Sequence, residues 1–521
     1  QLAPLCAILR RDVTEALTDA DSPLTRLAAD WRELLFPDAS DEEFADAYAQ
    51  TVTFALLLAR SEGADVASMH EAEDTLQAEH SLLSRALEVL TDPRAEAEIR
   101  GGLHLLQRYI NAIPQEMLSR EEDPDPWLYF YEDFLAAYDP DLRKNAGAYY
   151  TPREVVHAQV RLVDELLTQR LGRNLGFADD DVVTLDPGVG TGTYLLGVVE
   201  HALERVKDEE GEGSVDGKAT SLAANLYGFE NMVGPYAVSQ LRLTRALENR
   251  GAELPEEGPH IYLTDTLESP NATPPDAGLF YEPISEQHAA ALEVKSSEPV
   301  LVCIGNPPYD RHGAADDVGK GRAGGWVRWG EGDGNLPYGD GTGAILNDFL
   351  QPALDAGHSL HVKNLYNLYV YFWRWALWKV FEHQSSEGAG VVSFISASSY
   401  LDGDAFAGMR EHIRRVCDEF WVLDLGGEGR GTRQSDNVFD IQTPVAVAVA
   451  VSDGETDRDQ PAAVHYARVH GDRDEKLGAL EDIHDFADVD WDDCPDDWQA
   501  PFRPAGGGGY FDWGQVTGLF P

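Results

Sequence analysis

From about residue 147 to residue 450 the chain alternates short β-branched runs with stretches of helical periodicity. The runs are VVTL (182–185), NLYGF (225–229), HIYL (260–263), VLVCI (300–304), GVVSFI (390–395), FWVLD (420–424) and TPVAVAVAV (443–451). Strands separated by helices favour a doubly wound α/β architecture, with a mostly buried parallel sheet and helices on its faces. Each of the first four runs ends in a polar or glycine-rich turn. That carboxyl edge is where open α/β sheets bind their ligands.

The remainder divides by pattern. Residues 1–120 carry apolar residues at three and four residue spacing with few glycines, which predicts an all-helical domain. Residues 121–146, containing EEDPDPW and FLAAYDPDLRKN, read as a connector. The sheet domain is expected over 147–452, interrupted by a charged insertion at 208–218 and a glycine-rich loop at 310–344 that carries Trp326, Arg328 and Trp329. The acidic segment 453–521 is read as a separate C-terminal segment. The aromatic run 364–382 is expected to be buried packing.

Composition excludes several classes. No apolar stretch is long enough to span a membrane and no secretory leader begins the chain, so a cytoplasmic protein is expected. The four cysteines, Cys6, Cys303, Cys417 and Cys494, stand singly, and His70, His80 and His104 lack partners at metal-ligand spacing, so neither disulfides nor a metal site is expected. A formal net charge of -52 opposes non-specific binding to a polyanion. Any contact with DNA must come from a local arginine-lined groove.

Four turns carry chemistry. In LDPGVGTGTYLL (185–196), Gly188, Gly190 and Gly192 allow a sharp turn and close approach of a ligand to a helix N-terminus. No Lys-Ser/Thr pair follows them, which excludes a phosphate loop. Glu230 closes the second run, where a carboxylate can accept both hydrogens of a ribose diol. Asp265, after the third, can accept from the amino group of an adenine ring, or serve as an ordinary turn residue.

The sharpest signal is Asn306-Pro307-Pro308-Tyr309 after the fourth run. The prolines stiffen the backbone and remove competing donors, leaving the Asn306 side-chain carbonyl and the Pro307 carbonyl as two rigid acceptors for a planar amine. Holding both hydrogens frees the nitrogen lone pair for in-line attack. Tyr309 offers a ring on which a base can stack. A set resembling a nuclease, Asp276 with Glu293 and Lys295, falls between two strands of the same sheet and is set aside; Gly319-Lys320 lacks the rest of a Walker A sequence.

The order GAYYTP (147–152), DPGVGTG (186–192), Glu230, Asp265, NPPY (306–309) resembles the gamma-class N6-adenine DNA methyltransferases. More narrowly, about 121–445 is similar to the methyltransferase part of type ISP and type IIG restriction-modification enzymes. The resemblance implies a Rossmann-like fold, S-adenosylmethionine as cofactor and double-stranded DNA as partner. It implies that Tyr150, Thr151 and Pro152 hold the methionine end of the cofactor, with the Thr151 hydroxyl on its carboxylate. Asp186, Pro187, Gly188, Gly190 and Gly192 would line the same pocket, Glu230 would hold the ribose and Asp265 the adenine. In NVFDIQTPVAV (437–447), similar to a later family motif, Phe439 is nominated as the second wall against the flipped base. It also implies a target-recognition domain after the sheet, for which 453–521 is too short and is read as the start, so recognition is expected from a partner subunit or from further chain. Methylation of RNA or of protein glutamine, and a non-catalytic role in a defence complex, are the competing readings.

Overall fold

The computed structural model describes residues 1–34, 39–76, 84, 87–88, 93–118, 133–138, 151–255, 258–273, 282–309, 324–331, 343–355, 357, 362–427, 435–439 and 441–505. All seven expected runs form strands: β1 Thr184–Asp186, β2 Leu226–Glu230, β3 His260–Leu263, β4 Val302–Gly305, β5 Ala389–Ala397, β6 Glu419–Gly426 and β7 Val445–Asp453. Two further strands, β8 Ala463–Arg468 and β9 Asp492–Asp493, complete one nine-stranded sheet of order β3-β2-β1-β4-β5-β7-β6-β8-β9. The α/β doubly wound class is as expected. The first five strands are parallel, while β7 runs antiparallel between β5 and β6.

β7 shows how the sequence pattern becomes packing. Its VAVAVAV alternation has the period of a strand, so the valines and alanines face opposite sides of the sheet. Val445, Val447, Val449 and Val451 join the apolar cluster shared with helix Arg153–Gln169. Ala446, Ala448 and Ala450 join the cluster that holds Trp373, Phe394, Tyr400 and Phe420. Small side chains thus oppose large rings, which fills the layer without a void. The aromatic run is buried as expected: Tyr369, Tyr371, Phe372, Trp373 and Trp375 lie within helix Leu368–Leu377, which continues into a π-helical turn at Trp378–Glu382.

The first part of the chain is helical. Helix Asp41–Ser61 begins with a capping box between Ser40 and Glu43, and nearly all of its later residues are buried. Such all-round burial places it between helix Leu2–Ala16 and helix Val233–Glu248 of the sheet domain. Cys6, Cys303 and Cys417 are buried thiols and Cys494 is partly buried. His80 lies outside the described residues, and His70 and His104 are half exposed or more.

Beyond residue 452 the chain continues the same sheet. β8 pairs in parallel with β6 from Glu419↔Ala463 to Asp424↔Arg468. Helix Arg473–Glu481 then packs on helix Arg153–Gln169. Arg161 donates to the carbonyls of Leu480 at 3.0 Å, Glu481 at 3.1 Å and Ile483 at 2.6 Å, closing the exposed end of that helix with a cation. Replacing Arg161 by Ala is expected to lower unfolding free energy by about 1 to 3 kcal/mol, the range for hydrogen bonds from a charged donor. Urea denaturation measures this, with proteolysis between 470 and 505 as a local reporter.

Candidate active site at the switch between β1 and β4

The order β3-β2-β1-β4 makes β1 the point where the winding reverses. Open α/β sheets bind their ligands beyond the strand ends at such a reversal. Thr184 pairs with Val302 and Leu185 with Cys303, so the turn after Asp186 and the turn after Gly305 lie side by side. The pairing β1–β2 and β2–β3 sets Glu230 and the 264–268 turn on the same edge. Four features scattered over more than a hundred residues therefore meet.

The glycine turn is tied to its neighbours by backbone donors. Gly188 N–H donates to Asp186 Oδ1 at 3.0 Å, Val189 N–H to the Phe229 carbonyl at 2.9 Å, and Gly190 N–H to Glu230 Oε2 at 2.9 Å. Glu230 also accepts from the Asn231 and Met232 amides at 3.0 and 2.8 Å. Gly190 and Gly192 take positive φ of 54° and 85°, which a side chain would strain. A Cβ on Gly190 would meet nothing nearer than 4.0 Å, so the turn faces open space. Gly305 is required for the opposite reason, since a Cβ there would stand 2.6 Å from Asp186 Oδ1.

The electrostatics are acidic. Asp186 is 1% exposed, and burial pushes its carboxyl up to about 8, with Glu230 nearby adding to the rise. Burial likewise raises Glu230 to about 7, against its three amide donors. Asp265 is open to solvent on one side, yet the surrounding protein raises its pKa, opposed by the Leu267 N–H at 2.9 Å and by Lys295. Arg242 reaches the turn through the Thr191 carbonyl and Oγ1. Three carboxylates around an open glycine turn disfavour a pyrophosphate and suit a phosphate-free nucleoside that carries positive charge. S-adenosylmethionine has that chemistry, and the residues present fit it.

Asn306 is held from both sides. Its Nδ2 donates to Thr151 Oγ1 at 3.0 Å, and its Oδ1 accepts from the Tyr309 hydroxyl at 2.5 Å. Tyr309 also donates to the Ile395 carbonyl at 3.3 Å, and burial pushes its pKa up, so it stays a neutral donor. Pro308 lies 4.0 Å, and Phe372 3.6 Å, from the position a Cβ on Gly188 would take. Thr151 is buried, and Pro152 precedes helix Arg153–Gln169, its carbonyl accepting from Val155 and Val156. Tyr150 lies outside the described residues. Phe439 is 5% exposed, within the apolar cluster against which Tyr309 also packs.

Two residues that hold this site together were not assigned to it from the sequence. Thr266 donates its hydroxyl to the Pro187 carbonyl, locking the turn after β3 to the glycine turn. Lys295 reaches the same turn from helix Glu282–Ser296. Asp276 lies outside the described residues.

Residues 125–324 match the family described as N-6 DNA Methylase. The matched stretch contains the glycine turn, Glu230, Asp265 and the NPPY turn, and it bears out the resemblance read from the sequence. The same fold occurs in a nuclease-deletion mutant of the Type ISP restriction-modification enzyme LlaGI with a DNA substrate mimic (TM-score 0.72, 20% identity, 96% of this chain and 38% of that one). It occurs in the ATP-dependent Type ISP enzyme LlaBIII bound to DNA (0.74, 20%, 98% and 33%) and in a DrdV–DNA complex (0.66, 22%, 95% and 44%). This chain spans less than half the length of each. No curated protein sequence matches it.

The raised pKa of Glu230 has a signed effect on stability. The folded protein keeps a proton that the unfolded chain gives up near 4.5, so the stabilisation is full below 4.5 and is lost as pH rises through about 7. A Glu230→Gln variant is expected to show a shallower fall in Tm between pH 5 and 7.5 than the unmodified protein. Parallel melting curves at five pH values check this, and identical slopes would contradict it.

Proposed function

We propose that the protein is a site-specific DNA adenine methyltransferase that transfers a methyl group from S-adenosylmethionine to N6 of an adenine flipped out of double-stranded DNA. The observation that carries this reading is Asn306, whose amide sits at the end of β4 directly beside the acidic glycine turn of β1. The N-6 DNA Methylase match across both turns supports it. The likeness to type ISP enzymes and DrdV, described with bound DNA, leads us to place it in a restriction-modification or phage-defence system, with DNA recognition shared with other subunits or chain. Among the described residues no helix is long and apolar enough to cross a membrane, and we place the protein in the cytoplasm with its substrate.

The residues divide the work as follows. When bound, the cofactor supplies an electrophilic methyl group. Glu230 accepts from its ribose hydroxyls, Asp265 from the amino group of its adenine, and Thr151, Pro152 and Tyr150 line its methionine end beside Asp186, Pro187, Gly188, Gly190 and Gly192. Asn306 Oδ1 and the Pro307 carbonyl accept the two hydrogens of the target amine, and Pro308 stiffens the turn that presents them. Thr151 fixes which end of the Asn306 amide faces the amine, because Nδ2 already donates to it. In the free protein the Tyr309 hydroxyl covers Asn306 Oδ1, so an entering amine displaces it while the Ile395 carbonyl remains as its partner. The Tyr309 ring and Phe439 then flank the base, offsetting the few kcal/mol that extraction costs.

Replacing Asn306 by Ala is expected to cut kcat by about 100-fold or more, as loss of a transition-state hydrogen-bond partner does. Cofactor affinity, measured by calorimetry, should change little. Transfer surviving at the original rate rules out the mechanism. N6-methyladenine mapping of host DNA with and without the gene should reveal one modified motif; an unchanged methylome rules out DNA as substrate. Because Glu230 must be ionised to accept well and its pKa stands near 7, cofactor affinity should rise from pH 6 to pH 8 with proton release, readable as a buffer-dependent calorimetric enthalpy.

A further inference from the structure

We propose that Lys295 is a positioning residue for the adenine end of the cofactor pocket, holding the 264–268 turn so that the open oxygen of Asp265 stays in place. The inference rests on the reading of Asp265 as the acceptor for the cofactor's amino group. Lys295 is 0% exposed, at the end of helix Glu282–Ser296. A lysine buried that deeply must find oxygens for all three of its hydrogens. All three lie on the one turn: Thr264 Oγ1 at 2.9 Å, the Asp265 carbonyl at 2.7 Å and Glu268 Oε2 at 3.1 Å. The ammonium is therefore saturated by the segment that carries Asp265.

The rest of the turn is held just as closely. Glu268 balances the charge and also meets His288 Nε2, 2.9 Å from each carboxylate oxygen. The Thr264 N–H donates to the Glu230 carbonyl at 2.8 Å, and the Trp326 N–H to the Leu267 carbonyl at 2.8 Å. The Phe229 ring lies 5.6 Å from the ammonium, and Lys379 caps the Lys295 carbonyl at 3.0 Å. Asp265 Oδ1 is committed to the Leu267 N–H, while the residue remains exposed to solvent. Where its second oxygen points depends on the backbone that Lys295 grips. Lys295 thus serves the cofactor pocket, and the Glu293-Val294-Lys295 run gains a role that its nuclease-like spacing did not suggest.

The test is a selectivity ratio measured by calorimetry. S-adenosylhomocysteine offers Asp265 an amine, whereas S-inosylhomocysteine offers a carbonyl, so the unmodified protein should prefer the former. In Lys295→Met the preference should shrink about tenfold, the weight of one well-placed hydrogen bond to a charged acceptor. The KM for S-adenosylmethionine should rise while kcat stays within about threefold, as expected for loss of uniform binding. Without any cofactor, amide hydrogen exchange at Thr264, Leu267 and Trp326 should accelerate. A lower Tm with an unchanged preference overturns the proposal and leaves Lys295 a structural residue. Should Lys295→Met not fold, Thr264→Val removes one acceptor of the ammonium without changing shape. Its preference should fall about threefold, and no change there is equally adverse. If the unmodified protein itself shows no preference for the amine, the reading of Asp265 fails instead.

Discussion

The site depends on one close packing contact between two parallel strands. β1 and β4 pair at Thr184↔Val302 and Leu185↔Cys303, and at their ends Gly305 passes so near Asp186 that a methyl group would stand 2.6 Å from its carboxylate. That contact sets the acidic turn after β1 and the NPPY turn after β4 next to each other. The helical N-terminal part, the reversed strand β7 and the extension through β8 support this pair from a distance. The N-terminal helices pack on helix Val233–Glu248, which lies against the sheet, and β7 and β8 widen the sheet itself.

Charge is the second organising constraint. A chain with net charge -52 brings three of its carboxylates, Asp186, Glu230 and Asp265, to this edge, and the protein around them raises the pKa of each. Such a pocket favours a cationic ligand, which would restore the ionised forms. Several of the arginines are spent internally. Arg374 pairs with Asp348 and Glu382, Arg410 and Arg414 donate to backbone carbonyls, and Arg503 meets Asp424 and Asp402. Their work in the described residues is to tie loops and helices to the sheet. Lys295 does the same for the 264–268 turn.

What could be read in advance follows from how local each signal is. Strands β1 to β7 were legible because short apolar runs bounded by turn residues and alternating with helical stretches favour strands. β8 and β9 were not: AVHYAR mixes polar and apolar residues in an acidic stretch, and Asp492-Asp493 has no apolar residue at all. β8 is a strand because the β6 edge offers it a partner, and β9 because β8 then does the same. The reversal of β7 was also hidden, since alternation reports which faces are buried and not which way the chain runs.

By itself the sequence determined the fold class, the glycine turn, the stiff NPPY acceptor and the resemblance that names a chemistry. These depend on side-chain period, positive φ and the loss of proline donors, all properties of a few adjacent residues. Only the tertiary structure decided that Thr151 holds Asn306 across 155 residues, that the Tyr309 hydroxyl covers the amide oxygen, and that Lys295 serves the Asp265 turn. Those are hydrogen bonds between groups distant in the chain, and their partners become defined only when strand pairing and burial have removed water as the alternative.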